Sequence, residues 1–206
     1  MTHEGRADAE HDLDDAAVIQ LSRHEPEQFT LLFRRHAPHI QRYVTRRLGP
    51  SLSNGQTADD IVAETFLLAF RQRERYDQTR ADARPWLYGI ATNLIGRHRR
   101  AEIRLYRALA RTGADPALEP FTDRVDDRVS ASTASRRLAA ALARLSAELR
   151  DTLLLVAWGG LSYDEVAAAL GVPIGTVRSR LNRARSKLRR TLGDADPAAL
   201  HEESPA

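Results

Sequence analysis

Cysteine is missing from all 206 residues. That excludes a disulfide framework and any thiolate metal site. No stretch of about 18 apolar residues occurs, so no membrane-spanning helix is expected. The N-terminus lacks the basic and then apolar pattern of a secretory signal; Met1 to Asp15 is rich in acids instead. A cytoplasmic location is the expectation, without membrane insertion. Aromatic residues are scarce, at 6%, while Leu and Ala dominate, which favours helix over sheet. What remains is a globular composition, 42% hydrophobic and 29% charged, long enough for one domain or two small ones.

Acids are also missing where bases are densest. From Ile174 to Arg190 there are seven bases (Arg178, Arg180, Arg183, Arg185, Lys187, Arg189 and Arg190) and no Asp or Glu. From Arg97 to Arg111 six arginines face one acid, Glu102. The N-terminal 28 residues invert the balance, with eight acids against Arg6 and Arg23. Two separated basic blocks point to two contacts with a polyanion.

The punctuation divides the chain. An acidic N-terminal tail is read over 1–26, with Pro26 opening the first ordered segment. A helix from Phe29 carries apolar residues at Leu32, Phe33, Ile40, Val44 and Leu48 and stops at Gly49-Pro50. After a loop over 51–56, Thr57 is placed to cap a helix with Asp59 and Asp60 in its first turn. That helix is expected to reach about Arg75. Pro85 suits the first turn of the next, from Trp86 to about Arg111. These segments make one helical domain over 27–112. Residues 113–134, with Pro116 and Pro120, read as a flexible linker. Helices over 135–145, 146–158, 162–170 and 174–192 make a second domain over 135–192, followed by an acidic tail over 193–206. The predicted fold is all-α: two small helical domains joined by a linker.

Leu161 to Arg190 is the most informative stretch. Ser162 and Glu165 have the spacing of a capping box, Val166, Ala167 and Leu170 give a buried stripe, and Gly171 ends the helix. A basic helix follows three residues later, completing a helix-turn-helix whose second helix enters the major groove. At 100° per residue, Val177, Leu181, Ala184 and Leu188 fall on one packed stripe. Arg178, Ser179, Asn182, Arg183 and Arg190 point away from it. Arginine bonds guanine in a bidentate way and asparagine does so with adenine. The remaining bases suit phosphates. A charged amphipathic helix in a bundle would explain the stripe, but not an exposed side free of acids.

In the first domain, Val62, Phe66, Ala69 and Phe70 form the buried stripe of the helix after Thr57, opposite Asp60, Glu64, Leu67 and Arg71. An exposed leucine between carboxylates suits protein docking; an ordinary solvated face fits the same pattern. The spacing of Asp60 and Glu64 would allow a metal, but no histidine accompanies them. On the helix from Trp86, Leu87, Ile90, Ala91 and Leu94 pack inward. The other side carries Gly89, Thr92, Asn93, Gly96, Arg99 and Arg100, small or polar residues that let another backbone approach. Trp86 and Tyr88 suit either the core or stacking on unpaired bases.

The segment Ala58-Asp-Asp-Ile-Val-Ala-Glu-Thr-Phe-Leu-Leu-Ala-Phe-Arg71, with Arg84-Pro-Trp-Leu-Tyr-Gly-Ile-Ala-Thr-Asn-Leu-Ile95, resembles the second region of extracytoplasmic-function RNA polymerase sigma factors. Leu161-Ser-Tyr-Asp-Glu-Val166 with Gly171-Val-Pro-Ile-Gly-Thr-Val-Arg-Ser-Arg-Leu181 resembles their fourth region. The resemblance implies a factor that binds core RNA polymerase, selects promoters and assists their melting. Asp60, Glu64, Leu67 and Arg71 would dock on the polymerase clamp. Arg84, Trp86, Asn93, Arg97 and Arg100, with the loop before them, would hold the melted minus-ten element. Thr176, Arg178, Ser179, Asn182 and Arg183 would read the minus-thirty-five element. The linker would thread toward the RNA exit path, and an anti-sigma factor is a further possible partner. No cofactor, metal, small-molecule substrate or catalytic residue is implied. Many members carry glutamine where this chain has Ala63. Two rivals stand beside this reading. A helix-turn-helix regulator acting alone explains the C-terminal domain but not the Asp60 face. A nuclease using Asp59, Asp60 and Glu64 lacks enough convergent ligands.

Overall fold

A computed structural model describes residues 13–49, 57–112 and 125–192. The first twelve residues, the loop over 50–56, residues 113–124 of the linker and the C-terminal tail lie outside the described residues. The fold is all-α. Its helices are α1 (Asp15–Leu21), α2 (Phe29–Leu48), α3 (Ala58–Gln72), α4 (Arg84–Arg97), α5 (Arg99–Thr112), α6 (Val125–Arg144), α7 (Ala147–Ala157), α8 (Tyr163–Leu170) and α9 (Ile174–Leu192).

Local chemistry sets most of the ends. Thr57 accepts from the N–H of Asp60 while the Asp60 carboxylate accepts from the N–H of Thr57, a reciprocal capping box. Ser162 and Glu165 repeat the device at α8. Gly171 closes α8 at φ +62°, a left-handed conformation that favours glycine. Gly49 ends α2 at φ +79°. Pro38 sits within α2 on its exposed side, and the helix continues through it.

Four sequence expectations need correction. The acidic N-terminal segment is not a tail throughout. Asp14 caps α1 by accepting from Ala17 N–H at 2.7 Å, and Val18 and Ile19 are fully buried. Burial of Ala16, Val18 and Ile19 packs this short helix onto the domain, and Asp15 bonds it to His36 of α2. The single helix expected from Trp86 to Arg111 breaks at His98, between α4 and α5. The second half of the expected linker is helical, since α6 begins at Val125. Phe33, expected on the buried stripe of α2, is 45% exposed, one position around the wheel from fully buried Leu32.

The N-terminal core joins Leu32, Ile40, Tyr43 and Val44 of α2 to Ile61, Phe66 and Ala69 of α3 and Leu87, Ala91 and Leu94 of α4. The C-terminal core joins Leu142, Leu149, Leu155 and Val166 to the α9 stripe, Val177, Leu181, Ala184 and Leu188, all four buried as the wheel requires. The two domains pack on one another. Helix α4 lies against α8, and a Cβ built on Gly89 would collide with the carbonyl oxygen of Ala169. Arg84 reaches Glu165 across the same contact at 3.6 Å. Nearby, the Arg46 guanidinium sits 6.0 Å over the Trp158 ring.

Gly89→Ala therefore tests the contact. The added methyl meets backbone, which cannot swing away, so the domains should separate even though alanine favours α4 by roughly 0.8–1 kcal/mol. Small-angle scattering of the variant should show a larger radius of gyration than the wild type, whose compact value would be about 17 Å for a chain of this length. An unchanged radius would mean that α8 shifts to accommodate the methyl.

Candidate nucleic-acid interface

The basic face of α9 is built as its sequence requires. Burial of the Val177 to Leu188 stripe turns Arg178, Ser179, Asn182 and Arg183 outward, and all four are exposed; Thr176 is half-buried. Ser179 Oγ donates to the Thr176 carbonyl at 3.0 Å, and Arg183 Nε donates to the Ser179 carbonyl at 3.3 Å. Helix α8 and Gly171 hold α9 from behind. A rigid helix presenting arginine and asparagine at four-residue spacing is the geometry of major-groove readout.

The residues singled out on α4 divide into two sets. Asn93, Arg97 and Arg100 are exposed, and nothing lies within 4 Å of a Cβ built on Gly96. Gly89 and Thr92, read from sequence as part of the same open face, are buried. Gly89 is under α8, and Thr92 bonds the Tyr43 hydroxyl at 3.0 Å. Tyr88 is core, its ring edge-on to Tyr43 at 5.0 Å. Trp86 is half-buried, 4.9 Å from the Tyr76 ring. Arg84 bonds Asp82 at 2.8 Å, as well as reaching Glu165.

The turn over 76–83 is tightly organised. Tyr76 donates to the Arg80 carbonyl at 2.6 Å, and Asp77 accepts from the backbone and hydroxyl of Thr79 and from Arg80. Residues 77–81 are exposed, whereas Tyr76 and Ala83 are buried at either end. Burial pushes the Tyr76 hydroxyl up, so it stays a donor.

On α3, Leu67 is 47% exposed, Asp60 and Arg71 are exposed, and Glu64 is half-buried. Glu64 accepts from Arg97 at 3.0 Å, joining two residues that the sequence reading gave to different partners. Beside this face, a cavity of about 340 Å³ runs between α2 and α3, lined by Phe33, Ala37, Pro38, Gln41, Asp59, Val62 and Ala63. Phe33, half-exposed and edge-on to Phe66 at 4.9 Å, was missed as a surface residue. Only its offset of one position from Leu32 hinted at it.

Asp15, His36 and Asp82 are the described residues that come near enough to suggest a metal, with ligand atoms within 4.8 Å of one another. Their geometry is that of a hydrogen-bond cluster. Asp15 accepts from His36, Arg35 and the Ala83 N–H, and both Asp82 oxygens accept from Arg84.

With this geometry described, the comparisons with known proteins fall into place. Residues 32–105 match the Sigma-70 region 2 family and residues 135–188 match Sigma-70, region 4. ECF RNA polymerase sigma factor SigC from Mycobacterium tuberculosis is 39% identical over 72% of this chain and 76% of its own length. SigL from the same species is 35% identical over 78% of this chain and 86% of its own. SigE from Mycolicibacterium smegmatis is 36% identical over 77% of this chain, which spans only 59% of that protein. The structure of CnrH in complex with the cytosolic domain of CnrY superposes with a TM-score of 0.57 at 26% identity, over 86% of this chain and 96% of that one. The paired region 2 and region 4 domains define a sigma factor, a transcription initiation factor with a DNA-binding helix-turn-helix. The chain belongs to the extracytoplasmic-function family of RNA polymerase sigma factors. The match over region 2 covers the helices that a stand-alone regulator left unexplained, and no helix among the described residues is long and apolar enough to cross a membrane.

The capping box separates fold from docking on α3. Thr57→Ala should cost about 1 kcal/mol by removing the cap, read as a lower midpoint in thermal unfolding. Glu64→Gln loses only an exposed ion pair and should change stability by less than about 0.5 kcal/mol. Equal losses would show that the Glu64–Arg97 pair, not the cap, secures α3.

Proposed function

We propose that this alternative sigma factor divides its work among three surfaces. The α3 face of Glu64, Leu67 and Arg71, extended by Phe33, docks core RNA polymerase. The exposed part of α4, with the 76–83 turn, takes the melted minus-ten element. Helix α9 reads the minus-thirty-five element through Arg178, Ser179, Asn182 and Arg183, with Thr176 and Arg190 at its edges. The observation that carries this reading is the exposed, acid-free face of α9 behind a fully buried stripe. RNA synthesis stays with the polymerase; this chain contributes recognition and capture. A protein regulator that competes for the Phe33 and Leu67 surface is part of the proposal, by analogy with CnrH, which is seen in complex with the cytosolic domain of CnrY.

Run-off transcription with core polymerase tests the whole. Transcripts should depend on this chain and on promoter sequence. Leu67→Glu with Glu64→Lys should abolish co-purification with core while leaving helical circular dichroism intact; Asp60 is left alone because it closes the capping box with Thr57. Association that survives both changes places the docking face elsewhere.

The α9 assignment has its own measurement. Replacing Arg178 or Arg183 by alanine should cost about 1–3 kcal/mol at particular promoter positions. Lys187→Ala should weaken binding evenly across sequences and shallow its salt dependence. A uniform loss for all three would reduce α9 to a source of charge.

A further inference from the structure

Helix α1 lies wholly before residue 32, where the region 2 match begins, so the family comparison gives it no role. Its first residue, Asp15, nonetheless places a buried, three-bonded carboxylate against the 76–83 turn. Asp15 is 7% exposed. Its Oδ2 accepts from His36 Nε2 at 2.7 Å and from the Ala83 N–H at 2.9 Å, and its Oδ1 accepts from Arg35 at 3.2 Å. Its own N–H donates to the Ala81 carbonyl at 3.0 Å. One residue thus holds two points of the turn's closing end and ties them to α2. The opening end is held separately, by Tyr76 bonding the Arg80 carbonyl and packing on Trp86.

A stabilising salt bridge alone would need only His36 or Arg35. The further bonds, to Ala81 and Ala83, fall on the backbone of the turn itself. They fix the exit of a turn whose tip, Gln78, Thr79 and Arg80, is exposed and already ordered around Asp77. Recognition of an unpaired base needs such fixed groups, because a floppy loop would lose on ordering what it gained on contact.

We propose that Asp15 is a positioning residue for minus-ten recognition, clasping the 76–83 turn to α1 and α2 so that its tip meets the promoter in one shape. The inference rests on the assignment of that turn to the minus-ten element. Burial alone would raise the Asp15 carboxyl, but the bonds from His36, Ala83 and Arg35 outweigh it and hold the group below the ordinary carboxylate range, so the clasp stays charged at neutral pH.

The test uses holoenzyme assembled from core polymerase and the full chain, transcribing a promoter pool randomised in both elements. Asp15→Ala should flatten the minus-ten preference by roughly tenfold at the positions the turn reads, with minus-thirty-five preference and core affinity unchanged. Asp15→Asn keeps the size and one acceptor and should fall between; it decides the matter if the alanine variant folds poorly. Hydrogen exchange of the Asp15→Ala protein should show lost protection at the Ala83 amide, and the Asp15→Asn protein a smaller loss. Gln78→Ala, at the exposed tip, is the companion variant. If it alters the minus-ten preference while both Asp15 variants leave it intact, the clasp is overturned and the assignment of the turn stands. If neither Gln78 nor Asp15 affects that preference, the turn does not read DNA and both ideas fall. Loss of preference at both elements together would make Asp15 a general fold residue and overturn the proposal.

Discussion

The arrangement of this molecule depends on one buried carboxylate. Glu102 of α5 is 2% exposed and accepts from Arg47 of α2 through Nε at 2.6 Å and from Arg150 of α7 through Nε at 3.2 Å. Arg47 also donates to Tyr43 at 2.9 Å and to Asp151 at 2.5 Å, and Arg150 caps the carbonyls of Leu142 and Leu145. Both arginines are 1% exposed. Burial works against the charge of Arg47, but Tyr43, Glu102 and Asp151 around it raise its proton affinity. Such a network adds little net stability, since desolvation consumes most of the attraction, yet removing one member costs about 3–5 kcal/mol by orphaning the others. Its effect is to fix the register in which α7 meets α2 and α5.

An ionic interface between domains has a further consequence. The two promoter elements lie roughly 25 base pairs apart, about 85 Å at 3.4 Å per pair. A packed chain of this length has a radius of gyration of about 17 Å and cannot contact both elements. Promoter binding on the proposed assignment therefore requires the domains to part along α4, α8 and the Glu102 network. An apolar interface would lose its burial outright on parting. Arginines and carboxylates regain hydration when exposed, which offsets much of the lost attraction. The Glu102 network makes the closed interface specific, while the packing of α4 on α8 is burial that parting would lose.

How far the sequence reveals this follows from the range of each interaction. The cap at Thr57, the capping box at Ser162, the helix end at Gly171 and the α9 stripe are set by neighbours three or four residues apart, and all four were legible; that Asp60 closes a box with Thr57 was not. The Glu102 network joins residues 48 and 55 positions apart, so Glu102 read as a lone acid in a basic block. Helix α1 was hidden by composition: Asp14 and Asp15 look like tail acids, but one is a cap and the other a buried acceptor. Gly89 was legible as a place where backbone could approach. That the approaching backbone would be α8 of the same chain was not, because helical periodicity reports which face is small and not what covers it.

The closed arrangement also ranks the proposed surfaces. Arg178, Ser179, Asn182 and Arg183 on α9 are exposed, as are Leu67 and Arg71 on α3, whereas Gly89 and Thr92 of α4 are covered. The proposed contacts with duplex DNA and with polymerase are therefore available before the domains part, as are Asn93, Arg97 and Arg100; parting would uncover Gly89 but not Thr92, which is buried against Tyr43 of its own domain. A partner shifts such an equilibrium only by binding one state better than the other. Neither the α9 face nor the α3 face is altered by parting, so neither contact alone favours the open state. What favours it is simultaneous engagement, because a minus-ten element held at α4 and a minus-thirty-five element held at α9, roughly 85 Å apart along the duplex, can both be satisfied only by separated domains. On the proposed assignment, simultaneous engagement of both promoter elements, rather than exposure of either surface, is thus what depends on the domains parting.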